Sequence, residues 1–129
     1  MGSDNYDKNI LIVEDDGIQQ IIMEQLAKRL GLNVLAVVSK GNDAIQTVQS
    51  LPHIDLIMMD VRLGDDVDGI EAMTRIRKCS DSVKVIYVTG NSEPETRSRA
   101  GKTRYEAFLE KPVTEDKLRR AVSKAFAKV

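Results

Sequence analysis

Residues 54–60 read Ile54-Asp55-Leu56-Ile57-Met58-Met59-Asp60, a mainly apolar run typical of a buried strand that closes on a carboxylate. A second run, Ile10-Leu11-Ile12-Val13, is followed in the same way by Glu14-Asp15-Asp16. If the two runs are neighbouring parallel strands, their acids meet at one edge of the sheet. Carboxylates crowded beside a low-dielectric core repel one another strongly unless a cation joins them. The two stretches therefore predict a site that holds a divalent metal, a lysine or both.

Strand-like and helix-like stretches alternate five times along the 129 residues, with short turns between them. The predicted strands cover residues 10–13, 33–38, 55–59, 83–88 and 107–109. The predicted helices cover residues 18–30, 41 to about 51, 70–77 and a short polar segment within 92–104. The last predicted helix is capped by Thr114, has Glu115 and Asp116 in its first turn, and continues to Phe126. Repeated strand–helix units of this kind form a parallel sheet with helices on both faces. The sequence therefore predicts an α/β fold in which five helices flank a five-stranded parallel sheet.

The first predicted helix carries a start signal and an apolar pattern. Asp16 precedes the helix and Gln19 follows three residues later, which is the spacing of a capping box. Its apolar residues keep helical spacing; they are Ile18, Ile21, Ile22, Leu26 and Leu30. We therefore expect the helix to begin directly after the acids that follow the first strand.

Length and composition limit the domain organisation. A chain of 129 residues fits one domain, predicted at residues 8–129, after a polar leader or cloning scar at residues 1–7. The single cysteine, Cys79, excludes an internal disulfide and fits a reducing compartment. No apolar run approaches the roughly 20 residues that a membrane span needs. We therefore expect a cytoplasmic chain that has no membrane partner.

Charge is distributed unevenly along the chain. Residues 1–70 contain 5 Lys/Arg and 12 Asp/Glu, whereas residues 71–129 contain 14 and 8. The basic half has two interpretations: ordinary solvated helix faces, or a docking surface for an acidic partner. The overall net charge of −1 selects no class of partner.

Polar residues end four of the predicted strands. In a parallel sheet these residues share the carboxyl edge, where ligands bind; they are Glu14, Asp15, Asp60, Thr89 and Lys111. Carboxylates bind Mg²⁺, and a metal neutralises charge on phosphoryl oxygens. A hydroxyl and a lysine add a hydrogen-bond donor and a cation. Each residue alone also has an ordinary structural explanation, but together they favour phosphoryl transfer, with Asp60 as the nucleophile.

These motifs resemble the receiver domain of two-component response regulators, in particular single-domain members similar to the chemotaxis regulator. The resemblance extends from residue 10 to about residue 127. It is carried by the motifs Ile-Leu-Ile-Val-Glu14-Asp15-Asp16, Asp55-Leu-Ile-Met-Met-Asp60, Val88-Thr89-Gly90 and Phe108-Leu-Glu-Lys111-Pro112. It implies the flavodoxin-like strand order 2-1-3-4-5.

The resemblance also implies roles for the residues around Asp60. Asp60 would accept a phosphoryl group from a phosphohistidine on a sensor histidine kinase or a histidine phosphotransfer protein. Asp15 and Asp60 would bind Mg²⁺ (or Mn²⁺) directly and Glu14 mainly through water. The backbone carbonyl of Arg62 would complete the protein ligands. The chain would thus be a switch and not a turnover enzyme, although it would catalyse its own phosphorylation and dephosphorylation.

Three further residues have implied roles in switching. Thr89 would hydrogen-bond the phosphoryl group, Lys111 would pair with it, and Phe108 would be the switch aromatic whose rotamer follows Thr89. The output surface for a downstream protein would be helix 4, strand 5 and helix 5, and phosphorylation could be linked to homodimerisation. Basic residues are concentrated in that region; they are Arg97, Arg99, Lys102, Arg104, Lys117, Arg119 and Arg120.

The chain departs from the family pattern in the loop that follows Asp60. The segment 63–69 is one residue longer than usual and has Gly64 in place of Pro. Arg62 and Asn91 occupy positions that influence phosphoryl lifetime in the family. The Arg62 side chain could cover the phosphoryl group, pair with Glu14, or face solvent.

Two other classes of function remain open from the sequence. An Asp-nucleophile phosphatase also places Asp after an apolar strand, but it needs a second Asp two residues later, where this chain has Arg62. The same fold could also serve as a binding module that does not use phosphate. No DNA-recognition motif is left once the domain is assigned, so we expect no direct DNA binding by this chain.

Overall fold

The computed structural model describes residues 6–51, 53–64, 67–90 and 93–127. Its strands are β1 (Asn9–Val13), β2 (Asn33–Val38), β3 (Leu56–Asp60), β4 (Lys84–Thr89) and β5 (Ala107–Glu110). Its helices are α1 (Gly17–Arg29), α2 (Gly41–Ser50), α3 (Gly69–Arg77), α4 (Pro94–Gly101) and α5 (Glu115–Ala125). The predicted alternation of strands and helices is confirmed. The leader predicted at residues 1–7 stays a prediction, because residues 1–5 lie outside the described ranges.

The five strands form one parallel sheet in the order β2-β1-β3-β4-β5, as the resemblance implied. In the register of β1 and β3, Val13 lies beside Met59, so the residues that follow each of them meet at the carboxyl edge. Asp60 pairs with Val88 of β4. Strands 3, 4 and 5 each extend one residue beyond the predicted end, which makes Asp60 and Thr89 the last strand residues. Sheet pairing therefore fixes their backbones.

Two apolar cores cover the two faces of the sheet. Alternate residues of β1 and β3, beginning with Leu11 and Ile57, pack beneath α2 and α3. The intervening residues, beginning with Ile10 and Leu56, pack against α1 and α5. Because both faces are covered, every position of these strands favours an apolar side chain. This explains why the two runs appear in the sequence as unbroken apolar stretches.

Helix α1 has the predicted cap, but its buried face is not the isoleucine stripe. Asp16 Oδ1 accepts a hydrogen bond from the Gln19 backbone N–H at 3.0 Å. The side chains that enter the core are Met23, Ala27 and Leu30, which are at most 1% exposed. By contrast, the chain exposes three large apolar residues on the same helix; Ile18, Ile21 and Ile22 are 71%, 58% and 40% exposed. The helix is therefore apolar on two sides, and the sheet covers one of them.

None of the described helices combines the length and the apolar character needed to cross a lipid bilayer.

Candidate functional site

Three carboxylates converge at the carboxyl edge of the sheet. Glu14, Asp15 and Asp60 each offer an oxygen, and these oxygens all lie within 4.8 Å of one another. The first two follow β1 and the third ends β3, which is why the residues meet although 45 positions separate Asp15 and Asp60. Glu14 is 0% and Asp60 is 3% exposed, whereas Asp15 faces solvent. The predicted acid cluster is therefore present as one partly open site.

Lys111 brings a cation into this cluster. Its Nζ donates to Glu14 Oε1 at 2.8 Å and to Asp60 Oδ2 at 3.2 Å. Its backbone N–H donates to the Thr89 carbonyl at 2.8 Å, which attaches the residue after β5 to the end of β4. The sequence placed Lys111 at this edge, and the structure adds that it bridges the two buried acids.

A backbone N–H group also holds one oxygen of each carboxylate. The Arg62 N–H donates to Asp60 Oδ1 at 3.2 Å, and the Asp16 N–H donates to Glu14 Oε2 at 3.0 Å. The Gly64 N–H donates to Asp15 Oδ2 at 3.0 Å. Each carboxylate is thus oriented by a main-chain donor from the loop that follows its own strand or the neighbouring one. The site is pre-formed by the fold.

Burial and mutual repulsion change the acidity of these groups. Burial, followed by the charge of Glu14, raises the pKa of Asp60 to about 7, while Lys111 opposes the shift. The pKa of Asp15 is also raised, mainly by partial burial and then by its hydrogen bond and charge interaction with Glu14. Burial disfavours the Lys111 cation, but its contacts with Glu14 and Asp60 outweigh that effect and raise its pKa.

The charge balance of the cluster fits a divalent cation. The cluster contains three carboxylates and one ammonium group, which contacts two of them, so Asp60 remains in a negative environment even with Lys111 in contact. Hard carboxylate oxygens at this spacing are the ligands that Mg²⁺ and Mn²⁺ prefer. The chemistry of the donor set therefore agrees with the predicted metal site.

Thr89 lies at the same edge. It is the last residue of β4, it is 0% exposed, and its carbonyl accepts from the Lys111 N–H. Strand β3, on one side of β4, ends in Asp60, and strand β5, on the other side, is followed by Lys111. The residues predicted for phosphoryl chemistry therefore come together from β1, β3, β4 and the turn after β5.

Phe108 is part of an aromatic cluster that the sequence did not reveal. Its ring centroid lies 5.8 Å from that of Tyr87 and 5.7 Å from that of Tyr105. The Arg97 guanidinium lies 4.9 Å from the Phe108 centroid, in a cation–π arrangement. Tyr87 of β4 and Phe108 of β5 are partners in the strand register. A predicted pairing of these two strands was therefore the signal that could have revealed this contact.

Tyr87 connects this cluster to the end of α4. Its hydroxyl lies 2.7 Å from Thr103 Oγ1, and Thr103 Oγ1 donates to the Ala100 carbonyl at 2.6 Å. Burial raises the pKa of Tyr87 to about 12, so the hydroxyl stays protonated. The aromatic cluster therefore joins β4, β5 and α4 on the side of the sheet opposite α5.

The side chain of Arg62 does not reach Glu14. Its Nη2 lies 3.5 Å from Glu93 Oε1, and the two side chains are 70% and 53% exposed. Of the three alternatives for Arg62, the solvent-facing one describes its position best. Asn91, the second residue predicted to influence phosphoryl lifetime, lies outside the described residues.

The lengthened loop after Asp60 is partly anchored in the core. Leu63 and Val67 are 3% and 6% exposed, while Asp65 and Asp66 lie outside the described residues. Val67 fits closely against Gly41 at the start of α2, where a β-carbon on the glycine would lie 2.8 Å from Val67 Cγ1. The extra residue therefore belongs to a loop whose apolar side chains are buried.

Comparison with known proteins agrees with this geometry. The sequence profile of the response regulator receiver domain matches residues 10–123, which is most of the chain. The chain belongs to the response regulator receiver family. It is therefore a receiver domain of the two-component type, a class that acts as a phosphoacceptor in signalling.

Relatives of this receiver are found in longer proteins. It is 32% identical over 119 residues to the transcriptional regulatory protein ZraR of Salmonella typhimurium, covering 92% of this chain and 26% of ZraR. It is also 32% identical over 121 residues to the sensor histidine kinase RcsC of Escherichia coli, covering 94% of this chain and 12% of RcsC. The chain thus spans about a quarter of one relative and about an eighth of the other.

Solved structures share the fold. The signal receiver domain of a modulated diguanylate cyclase from Desulfovibrio desulfuricans G20 has a TM-score of 0.83 and 28% identity, with coverage of 92% of this chain and 93% of that one. The CheX–CheY–BeF₃–Mg complex from Borrelia burgdorferi has a TM-score of 0.87. At 22% identity, with 94% and 90% coverage, that second likeness concerns the fold alone.

Proposed function

We propose that this receiver is a phosphoaspartate switch in which Asp60 accepts a phosphoryl group from a phosphohistidine. The observation that carries the proposal is the position of the Asp60 carboxylate, buried to 3% exposure, in contact with Lys111, and clustered with Glu14 and Asp15. The expected donors are a sensor histidine kinase or a histidine phosphotransfer protein. RcsC, a sensor histidine kinase, contains a related segment, which supports a kinase as donor.

The transfer itself requires little beyond positioning and charge. One Asp60 carboxylate oxygen forms a bond to phosphorus as the bond from phosphorus to the donor imidazole nitrogen breaks, and the electron pair stays on that nitrogen. The Arg62 N–H holds Asp60 Oδ1, while Lys111 faces Oδ2. After transfer, the Lys111 ammonium and the Thr89 hydroxyl are the groups that would bind the phosphoryl oxygens.

The metal in this proposal would be held by the carboxylates of Glu14, Asp15 and Asp60, with the Arg62 carbonyl as the further ligand that the family implies. When bound, Mg²⁺ supplies positive charge that favours the ionised form of Asp60 and neutralises phosphoryl oxygens. Lys111 offsets only part of the repulsion among the acids, because it is a single cation in contact with two of them.

The exposed isoleucines of α1 are the surface that we assign to the phosphodonor. Ile18, Ile21 and Ile22 lie in the first two turns of α1, immediately after the acids of the site. Exposed apolar clusters of this kind mark protein contact sites. A donor that packs a helix against these residues would present its phosphohistidine to the adjacent carboxyl edge.

The switch would act through the aromatic cluster on the other side of Thr89. Contacts from the phosphoryl oxygens to Thr89 and Lys111 would favour one of two arrangements of β4 and the residues after β5. Tyr87, Phe108 and Arg97 connect these strands to α4. The family resemblance implies an output surface formed by α4, β5 and α5, and we propose the same surface for this chain. A downstream protein or a second copy of the chain would bind there.

A phosphatase of the Asp-nucleophile type is the principal alternative. The position two residues after Asp60, where such an enzyme has its acid/base, is held by Arg62, whose side chain pairs with Glu93. Incubation with a phosphomonoester separates the two functions. Sustained release of phosphate would contradict the switch, whereas the absence of turnover together with labelling by an acyl phosphate supports it.

A binding module that does not use phosphate is the other alternative. Beryllofluoride with Mg²⁺ mimics the phosphorylated state, and we expect it to shift the backbone NMR signals of Thr89 and Lys111 and of the strands beside them. Spectra that do not respond would favour the binding module.

The single cysteine is the sequence feature that favours the cytoplasm as the location of the chain.

A further inference from the structure

A pocket of about 250 Å³ lies between α3 and the end of α4. Glu71, Thr74 and Arg77 line it from α3, and Arg99 and Lys102 line it from the other side. We propose that this pocket binds a small phosphate monoester that also carries a hydroxyl group. The inference goes beyond the proposed function and does not depend on it, because the acid cluster takes no part in the pocket.

The pocket carries positive charge that its own acid does not balance. Among the described residues that line it, three are cations and one is an acid; they are Arg77, Arg99, Lys102 and Glu71. The Glu71 carboxylate is already held by Arg75, whose Nε donates to Oε2 at 2.9 Å. An anion that enters the space between the two helices is therefore attracted by the charge of the lining residues.

Arg77 gives the pocket a fixed positive charge. Its guanidinium is half-buried and donates to four backbone carbonyls, those of Asp81, Val83, Thr103 and Arg104. Burial, followed by the charge of Arg104, lowers the pKa of Arg77, but a guanidinium remains protonated at neutral pH. Carbonyl groups orient this cation without neutralising it, so its charge remains available to attract an anion.

Arg99 and Lys102 are the cations that can contact the ligand directly. Arg99 contacts Asp68 through Nη2, at 3.1 Å from Oδ2, which leaves Nη1 and Nε to donate to another anion. The Lys102 ammonium forms no ion pair within the described ranges. The two residues are three positions apart in helical backbone, so their side chains are neighbours. An arginine fork beside a lysine charge is typical of phosphate binding.

The size and the hydroxyl of the pocket define the rest of the ligand. A volume of about 250 Å³ is small for a binding pocket, so it suits a phosphoryl group with a short organic part. Thr74 Oγ1 donates its hydrogen to the Ile70 carbonyl at 2.8 Å. The same oxygen can therefore accept from a ligand hydroxyl but has no second hydrogen for a phosphoryl oxygen. A phosphate ester of a small alcohol or sugar fits both requirements.

The pocket is separate from the surface proposed for output. Arg97 and Arg99 are two positions apart on α4, which places them about 200° apart around the helix. The Arg97 guanidinium packs on Phe108 of β5, whereas Arg99 lines the space beside α3. A ligand in this pocket would thus bind the face of α4 that is turned away from β5.

Titration of the full chain with glycerol 3-phosphate, followed by NMR in EDTA at constant ionic strength, tests the proposal. We expect saturable shifts in the backbone signals of Thr74, Arg99 and Lys102 below about 10 mM ligand. Inorganic phosphate, which lacks the organic part, should bind more weakly. Asp60→Asn should bind glycerol 3-phosphate as the wild type does, so the result is independent of phosphorylation at Asp60.

Charge variants locate the site. The double variant Arg99→Gln, Lys102→Gln should lose about tenfold or more in affinity for glycerol 3-phosphate. Glu71→Gln, which removes an acid from the lining, should gain about threefold. The matched control Lys28→Gln, Arg120→Gln also removes one lysine and one arginine, each from an exposed ion pair on α1 or α5, and should bind as the wild type does.

Four results would overturn the proposal. Equal losses in the two double variants would show attraction by net charge alone, and shifts centred on other residues would place the ligand elsewhere. Titration without saturation below about 10 mM would exclude the site. A phosphoserine peptide that binds about tenfold or more tightly than glycerol 3-phosphate would make a phosphorylated protein segment the occupant.

Discussion

Lys111 Nζ lies 3.2 Å from Asp60 Oδ2 and also donates to Glu14 at 2.8 Å, so one cation serves two buried carboxylates. In the proposed function this arrangement positions Asp60 for phosphorylation, and it leaves the cluster with excess negative charge. On that proposal the site would give up stability for function. The predictions that follow test its parts separately.

Removal of Lys111 should destabilise the metal-free protein. Lys111→Met would leave Glu14 and Asp60 buried without their cation, and breaking a buried pair in this way costs about 3 kcal/mol or more. We expect urea unfolding above neutral pH, with EDTA, to show that loss, and Mg²⁺ to restore part of it. Lys117→Met on the exposed face of α5 is the control and should change stability by less than about 0.5 kcal/mol. Equal effects of the two substitutions would contradict the assigned role of Lys111.

The metal-free protein should become less stable as pH rises from about 4 to about 7. The pKa of Asp60 is raised from 3.8 to about 7 by folding, so the folded state binds a proton that the unfolded state has lost in this range. The shift corresponds to a loss of at most about 4 kcal/mol in the free energy of unfolding. Access of water to the site reduces the expected loss to roughly 1–2 kcal/mol.

Asp60→Asn should remove this part of the pH dependence and stabilise the metal-free protein near neutral pH. Urea unfolding at several pH values, with EDTA throughout, compares the two proteins. If the variant and the wild type lose stability in parallel between pH about 4 and about 7, Asp60 is not the group responsible.

Ile21→Gln should slow phosphotransfer from a protein donor without affecting a small donor. Ile21 is 58% exposed on α1, and its loss would remove part of the proposed docking surface while keeping a helix-forming residue. We expect the rate from a phosphorylated histidine protein to fall by about tenfold, and the rate from acetyl phosphate to stay unchanged. Leu35→Gln, at another exposed apolar residue on β2, is the matched control. Similar slowing by both substitutions would argue against a specific surface on α1.

Gly69→Ala should disrupt the start of α3 and the loop after Asp60. A β-carbon at Gly69 would lie 2.2 Å from the Asp60 carbonyl oxygen and 2.8 Å from Met59 Cγ, so the backbone would have to move. We expect a loss of about 2–3 kcal/mol in thermal unfolding together with slower phosphorylation. Gly101→Ala, where nothing lies within 4 Å, is the control and should be neutral or slightly stabilising. A neutral Gly69→Ala would contradict the close approach of α3 to β3.

The fold and the members of the site could be predicted because they depend on local patterns. Apolar runs that close on Asp60 and on Glu14 indicate buried strands, and parallel pairing then brings their ends to one edge. The cap of α1 by Asp16 is local as well. The contact between Lys111 and Glu14, 97 residues apart, follows once the strand order is known.

Other features depend on tertiary packing that a periodic pattern does not determine. Met23 and Ala27 have the same helical spacing as the isoleucines of α1, and Leu30 fits both patterns. The pattern alone therefore could not say which stripe the sheet covers. The Arg62 side chain pairs with Glu93 because α4 begins nearby, and the pKa of Asp60 depends on burial created by several strands. Neither the Arg62–Glu93 pair nor the raised pKa of Asp60 could be predicted without the relative positions of the strands and helices.

Covalent labelling of Asp60 by acetyl phosphate is the most direct test of the central claim. We predict one phosphoryl group per chain, dependent on Mg²⁺, located on Asp60 by peptide mapping and absent from Asp60→Asn. Asp15→Asn should require about tenfold or more Mg²⁺ for the same labelling, whereas Asp16→Asn, which keeps an N-cap beside the site, should behave like the wild type. Labelling that persists in Asp60→Asn, or that proceeds equally well in EDTA, would contradict the account.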